Sequence, residues 1–165
     1  MPNAHRSSSH VQLQAESLLF EEVKQRLHVE LVKNPRISVS DERPVYIQPD
    51  FYSADRLIVG EIFAHIGKPR KAQDNKIAND ILKMLLLDEA TGKKHRKIIV
   101  VCDVAEKAHL DGTSALAESI RRFQIEIMHI DPGNEMRQQV LQAQARQVMI
   151  NTDHDSDSSD KFLPC

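Results

Sequence analysis

A chain of 165 residues fits one domain of ordinary size and is long enough to bury a sizeable core. Hydrophobic residues make up 41% of it but aromatics only 4%, with no tryptophan. The core must therefore rest on Leu, Ile and Val, and stacking platforms for single-stranded nucleic acid are poorly supplied. A net charge of −2 argues against a general polyanion binder.

The charge is unevenly placed. From Asn151 to Cys165 four aspartates stand against Lys161, a net −3, which leaves +1 for the rest of the chain. Basic residues there gather as Lys68, Arg70, Lys71 and Lys76, as Lys93, Lys94, Arg96 and Lys97, and as Arg121 with Arg122. Such groups are either solvated loops and helix ends or local positive surface for phosphates. Cys102 in an apolar run and Cys165 in a polar tail make no disulfide framework, which suits a reducing compartment. The start of the chain, MPNAHRSSSHVQLQ, has no apolar signal core, and no stretch reaches the ~18 apolar residues of a membrane span. A cytoplasmic protein with no membrane partner is expected.

Residues 1–12 read as a flexible arm, 13–150 as a single α/β domain and 151–165 as a disordered acidic tail. The spacing of Leu19, Phe20, Val23 and Leu27 predicts a helix from Gln14 to about Val32. Its apolar face, extended backward, includes Glu16, an acid that must either snorkel at the helix start or meet a cation. Asn34-Pro35 ends that helix. RISVS, PVYIQPDFYS and RLIVGEIFAHI then predict three strands in a meander, with turns near DERP and SADR. A helix follows from about Gln73 to Ala90, with Ile77, Ile81, Leu82, Met84, Leu85 and Leu86 as a broad buried surface. Gln73, Lys76, Asp80 and Lys83 form its polar stripe, and Thr91-Gly92 its stop.

The run from Lys97 to Asp103, apolar and β-branched, predicts a central strand buried on both faces. Gly112-Thr113-Ser114 offers a cap for a helix from Ala115 to Phe123, IEIMHI a last strand, and Glu135 to about Met149 a polar helix. That helix is either a dimer element or a packed appendage. The order is α-β-β-β-α-β-α-β with an extra helix, which implies a mixed central sheet flanked by helices.

Pro49-Asp50 on one strand and Glu61 on the next, within IQPDFYSADRLIVGEIFAH, together with this element order, resemble the PD-(D/E)XK nuclease superfamily over roughly Glu16 to Asp131. The resemblance implies a restriction-endonuclease-like αβββαβ core and a metal-dependent endonuclease that hydrolyses phosphodiester bonds with Mg²⁺ or Mn²⁺. It implies DNA as the partner, with RNA and a homodimer left open. Asp50 and Glu61 are implied as catalytic and metal ligands, with Glu16 from the first helix extending the metal shell. The chemistry is coherent, because a hard cation takes carboxylate oxygens, polarises the phosphate and activates a water.

Two residues after Glu61 the family carries a lysine, and here Phe63 stands in its place. Lys76 and Lys68 are the candidates for a displaced catalytic lysine, with Gln73 and His65 in support. Lys68, Arg70, Lys71 and Lys76 are the candidate nucleic-acid contacts. Without a lysine in place, the alternative is a catalytically degenerate module that binds nucleic acid or protein without cleavage. A nucleotide site after the Lys97–Asp103 strand is a third reading, but five glycines and no Gly-rich loop leave it without a phosphate cradle. The eight histidines show no paired spacing for zinc.

Overall fold

The computed structural model describes residues 4–156, with side chains described from 10 to 146. The end of the expected acidic tail, from 157 onward, lies outside the described residues. Helix α1 (Ala4–Leu27) opens the chain and already includes most of the expected arm. It ends at His28, whose left-handed φ of 53° stops the helix five residues before the expected end.

The central sheet has five strands in the order β1 (Val32–Lys33), β4 (Phe51–Ser53), β5 (Ile58–Phe63), β6 (Arg96–Val101) and β7 (Ile125–His129). The first three run antiparallel and the last three parallel, so the sheet is mixed as expected. The meander is built differently from the sequence reading. RISVS contributes β2 (Ile37–Ser38) to a separate two-stranded sheet with β3 (Tyr46–Ile47), and the edge of the main sheet is β1 instead. PVYIQPDFYS is two strands rather than one. It breaks at Pro49, which has no N–H for a ladder, and Asp50 repairs the gap: its Oδ2 accepts the Ile62 N–H at 2.7 Å.

Helices cover both faces. Ala15, Leu19 and Val23 of α1, with Val140 of α5 (Asn134–Ser156), pack on Phe51, Ile58, Ile62, Ile98 and Val100. α5 lies along α1. On the other face Ile77, Ile81, Met84 and Leu87 of α2 (Lys71–Thr91) meet Val59, Phe63, Ile99 and Val101. α3 (Val104–Leu110) and α4 (Ala115–Arg122) complete that layer through Leu110 and Ile120. α3 was absent from the sequence reading. Leu82 and Leu86, expected inside, are 63% and 40% exposed.

Gly60 sets the register beside the acids. A Cβ there would lie 2.1 Å from the ring of the fully buried Phe51 and 2.6 Å from the Ile98 carbonyl oxygen. Only glycine lets the Phe51 ring lie across β5, and Phe51 and Gly60 are paired in the ladder.

Candidate active site

Continuing the Phe51–Gly60 pairing by one step sets Asp50 opposite Glu61. Cross-strand neighbours of this kind have Cβ atoms ~5 Å apart. Alternation along β5 puts Glu61 on the same face as Val59 and Phe63, beneath α2. Glu61 is 3% exposed, and it meets Lys83 of α2 there, Nζ to Oε1 3.1 Å. The contact is an ion pair, and Oε1 has no hydrogen-bond partner among the described residues.

Lys83 is held from the other side by Asp80, Nζ to Oδ1 2.5 Å, and Asp80 is itself 3% exposed. One ammonium therefore serves two buried carboxylates. Burial, with the charges of Asp80 and Asp50, pushes Glu61 up to about 8, against the pull of Lys83. Burial draws Lys83 down, but the Asp80 and Glu61 carboxylates outweigh it and hold its ammonium above the ordinary lysine value. The cluster has more acid than base and suits the arrival of a further cation.

Glu16 stands on α1, half-buried, with its Oε1 accepting from the Gln12 amide at 3.2 Å. Burial and then the nearby Asp50 raise its carboxyl above the usual range, while Lys76 and Lys33 pull it back. Of the three acids expected as metal ligands, Asp50 is thus within electrostatic reach of both Glu16 and Glu61. Among the described residues, however, no three His, Cys, Asp or Glu side chains stand close enough to hold a metal by themselves.

The expected lysines are placed elsewhere. Lys76 does not touch Glu61: its Nζ lies over the Phe63 ring, 4.4 Å from the centroid, and 4.0 Å from Asp80. Lys68 is exposed in the loop between β5 and α2. Gln73 is occupied in capping α2, its Oε1 accepting the Arg70 N–H at 2.7 Å. His65 Nδ1 is buried without a hydrogen-bond partner among the described residues, and burial lowers its pKa.

The lysine beside Glu61 is Lys83, which the sequence reading placed on the polar stripe of α2 but not in the site. The missed signal is Asp80. It falls between Ile77 and Met84 on the buried arc of α2, where an acid needs a cation.

The three basic groups are engaged to different degrees, and in the second Lys93 is exposed without an ion pair among the described residues. Arg96 pairs with Glu126, Lys94 donates to Gln124, and Lys97 is 3% exposed and locked to Asp88 at 2.5 Å. Arg121 and Arg122 both pair with Glu118. Lys68, Arg70 and Lys71 are exposed and form no ion pair among the described residues.

Gln144 braces the loop that joins Glu61 to α2, and Arg137 the segment that follows β6. Gln144 of α5 accepts from Ile66 N at 2.9 Å and donates to Ile66 O at 3.1 Å. Arg137 pairs with Asp103 at 2.5 Å. Asp103 also caps α3 through Ala105 N at 2.7 Å, so it is a cap rather than a ligand.

Comparison of the chain with protein-family models, curated proteins and solved structures returns no match. Among the described residues no helix is long and apolar enough to cross a membrane.

Proposed function

We propose that this chain is a divergent nuclease of the PD-(D/E)XK superfamily, with the restriction-endonuclease-like core, that hydrolyses DNA phosphodiesters with Mg²⁺ or Mn²⁺. The observation that carries the reading is the meeting of Asp50 and Glu61, from adjacent strands, with a lysine from the following helix. The element order supports it: α1, then β1, β4 and β5 antiparallel, then α2 crossing to the parallel β6.

The residues fit a hard cation. Mg²⁺ is commonly held by one or two carboxylates together with waters and substrate phosphates. Asp50 and Glu61 supply two, Glu16 is near as a third, and Glu61 Oε1 is an acceptor still lacking a hydrogen-bond donor. When bound, the cation polarises the phosphate and lowers the pKa of a water. Lys83 takes the part of the missing lysine. Its ammonium, held by Asp80 and Glu61, has one of its three N–H groups left for a phosphate oxygen or the attacking water. The exposed Lys68, Arg70 and Lys71 supply flanking phosphate contacts.

One observation favours the second reading, a module that binds without cutting. Phe63 occupies the family's lysine position, and Lys83 sits against the very carboxylate a metal would need. Nicking of supercoiled plasmid separates the two. The nuclease reading expects cutting that needs Mg²⁺ or Mn²⁺ and is lost in Asp50→Asn, Glu61→Gln and Lys83→Met. DNA retained equally in chelator, with no cutting in either metal, would establish the binding module instead.

A further inference from the structure

Lys68, Arg70 and Lys71 lie exposed in the turn between β5 and α2, with no ion pair among the described residues. That turn is tied to α5, because Gln144 holds both the N–H and the carbonyl of Ile66, two residues before Lys68. Beyond Gln144, α5 carries on to Ser156, and residues 157–165 follow it. This stretch is acidic. From Asn151 onward it holds Asp153, Asp155, Asp157 and Asp160 against Lys161, a net −3. Runs of like charge of this kind commonly act as interaction segments. We propose that residues 151–165 dock on the Lys68–Arg70–Lys71 surface of their own chain and shield it from other polyanions.

Charge, reach and position select this pairing. Three cations face a segment of net −3, so the charges match. From Gln144 to Ser156 the helix advances ~18 Å, at about 1.5 Å per residue. The nine residues after it span up to ~30 Å when extended, enough to return to the turn. Position sets the other basic groups aside. Arg121 and Arg122 are held by Glu118, and Arg96 by Glu126. Lys93 precedes β6 whereas Lys68 follows β5, and these two strands are parallel. Lys93 therefore lies toward the opposite end of the sheet, ~20 Å away for strands of six residues. One consequence rests on the nuclease reading. Docking there puts carboxylates where substrate phosphates would lie, so the segment competes with DNA for the surface.

The contact is tested on the full chain with a nitroxide on Cys165. Cys102 is buried, and burial pushes its thiol up to about 12, so a thiol reagent near neutral pH leaves it unmodified. The amide signals of Lys68, Arg70 and Lys71 should broaden at about 50 mM salt and recover above about 0.5 M, where the screening length is only a few ångströms. They should also recover when Asp153→Asn, Asp155→Asn, Asp157→Asn and Asp160→Asn are combined, with circular dichroism unchanged. Amides that never broaden overturn the proposal. A second arm follows binding of a labelled DNA duplex in chelator, where no cutting intrudes. Each exposed ion pair is worth about a factor of two, so freeing three cations should tighten DNA binding by the quadruple variant about tenfold. In a chain that also carries Lys68→Gln, Arg70→Gln and Lys71→Gln, the same four changes should gain nothing. An equal gain in both backgrounds is general charge repulsion and overturns docking on this surface. Broadened amides with no DNA bound by any form uphold the docking and sink the nuclease reading instead.

Discussion

Glu106 should make this protein lose stability as the pH rises through neutrality. It stands in the first turn of α3 with no exposed surface, and neither carboxylate oxygen has a hydrogen-bond partner among the described residues. Burial, and then the charges of Asp103 and Asp74, push its pKa up to about 8, with Lys76 opposing. An unfolded chain returns it to the model-peptide value of 4.5. Between those values the unfolded state has given up its proton while the folded state keeps it. Stability therefore falls from about pH 4.5 to about pH 8 and is level beyond. A shift of about 3.5 units at 1.36 kcal/mol each is ~5 kcal/mol, an upper value that relaxation of α3 reduces. Glu106→Gln removes the titration. Its amide donors lack partners too, which costs ~1–3 kcal/mol at every pH. The readout is thus the change, between pH 4.5 and pH 9, in the difference between variant and wild type in urea unfolding. The variant should gain several kcal/mol on wild type over that interval. A difference that stays constant with pH would show that Glu106 ionises freely in the folded protein and would refute the reasoning.

Three further outcomes rest on single contacts. Gly60→Ala drives a methyl into the Phe51 ring and the Ile98 carbonyl and should cost about 3 kcal/mol or more, seen as a lowered urea midpoint. His28→Gly relieves a left-handed residue at the end of α1 and should raise Tm, a gain of ~1 kcal/mol, whereas an unchanged or lower Tm would place the strain elsewhere. Lys83→Met leaves Glu61 and Asp80 without their shared cation and should destabilise by about 2–3 kcal/mol at pH 8, less than a fully buried pair because Lys83 is partly solvated. Added Mn²⁺ should recover that loss, and failure to do so would count against a metal between these acids.

The parts of the fold legible in the sequence are those whose pattern a single element dictates. β6 is a run of five buried residues and α2 has a clean buried stripe, so both stand where expected. What the sequence concealed depends on partners far along the chain. β1 is two residues long and exists only because β4 pairs with it. α3 is seven residues, too short for a periodic signal, and its cap Asp103 read as the end of a strand. The site divides in the same way. Asp50 and Glu61 were readable because a proline break and an acid inside an apolar strand are local anomalies. Lys83 was not, because it lies 22 residues beyond Glu61 along the chain, on another element. α2 runs back along β5, so a lysine three turns into the helix arrives over the acid.

Glu61 itself distinguishes a structural charge from a functional one. If its carboxylate served only to hold Lys83, replacing it would weaken the fold at every pH. The geometry argues otherwise, since Asp80 already holds Lys83 with the shorter contact, and Glu61 is left crowded by Asp80 and Asp50 with its own pKa raised to about 8. Glu61→Gln removes that crowding. Below pH ~4.5 both forms are neutral and the variant gains nothing. Above pH ~8 the wild type carries a buried carboxylate, so the variant should gain several kcal/mol on wild type over that interval, and after the ~1–3 kcal/mol cost of its unpartnered amide donors should end more stable by on the order of 1–2 kcal/mol. The same substitution should abolish Mn²⁺ binding, followed by the paramagnetic signal of the free ion. Opposite effects on stability and on metal binding mark a residue retained for chemistry at a cost to the fold. A variant that is less stable at pH 9 and binds Mn²⁺ as before would make Glu61 a structural partner of Lys83 and nothing more.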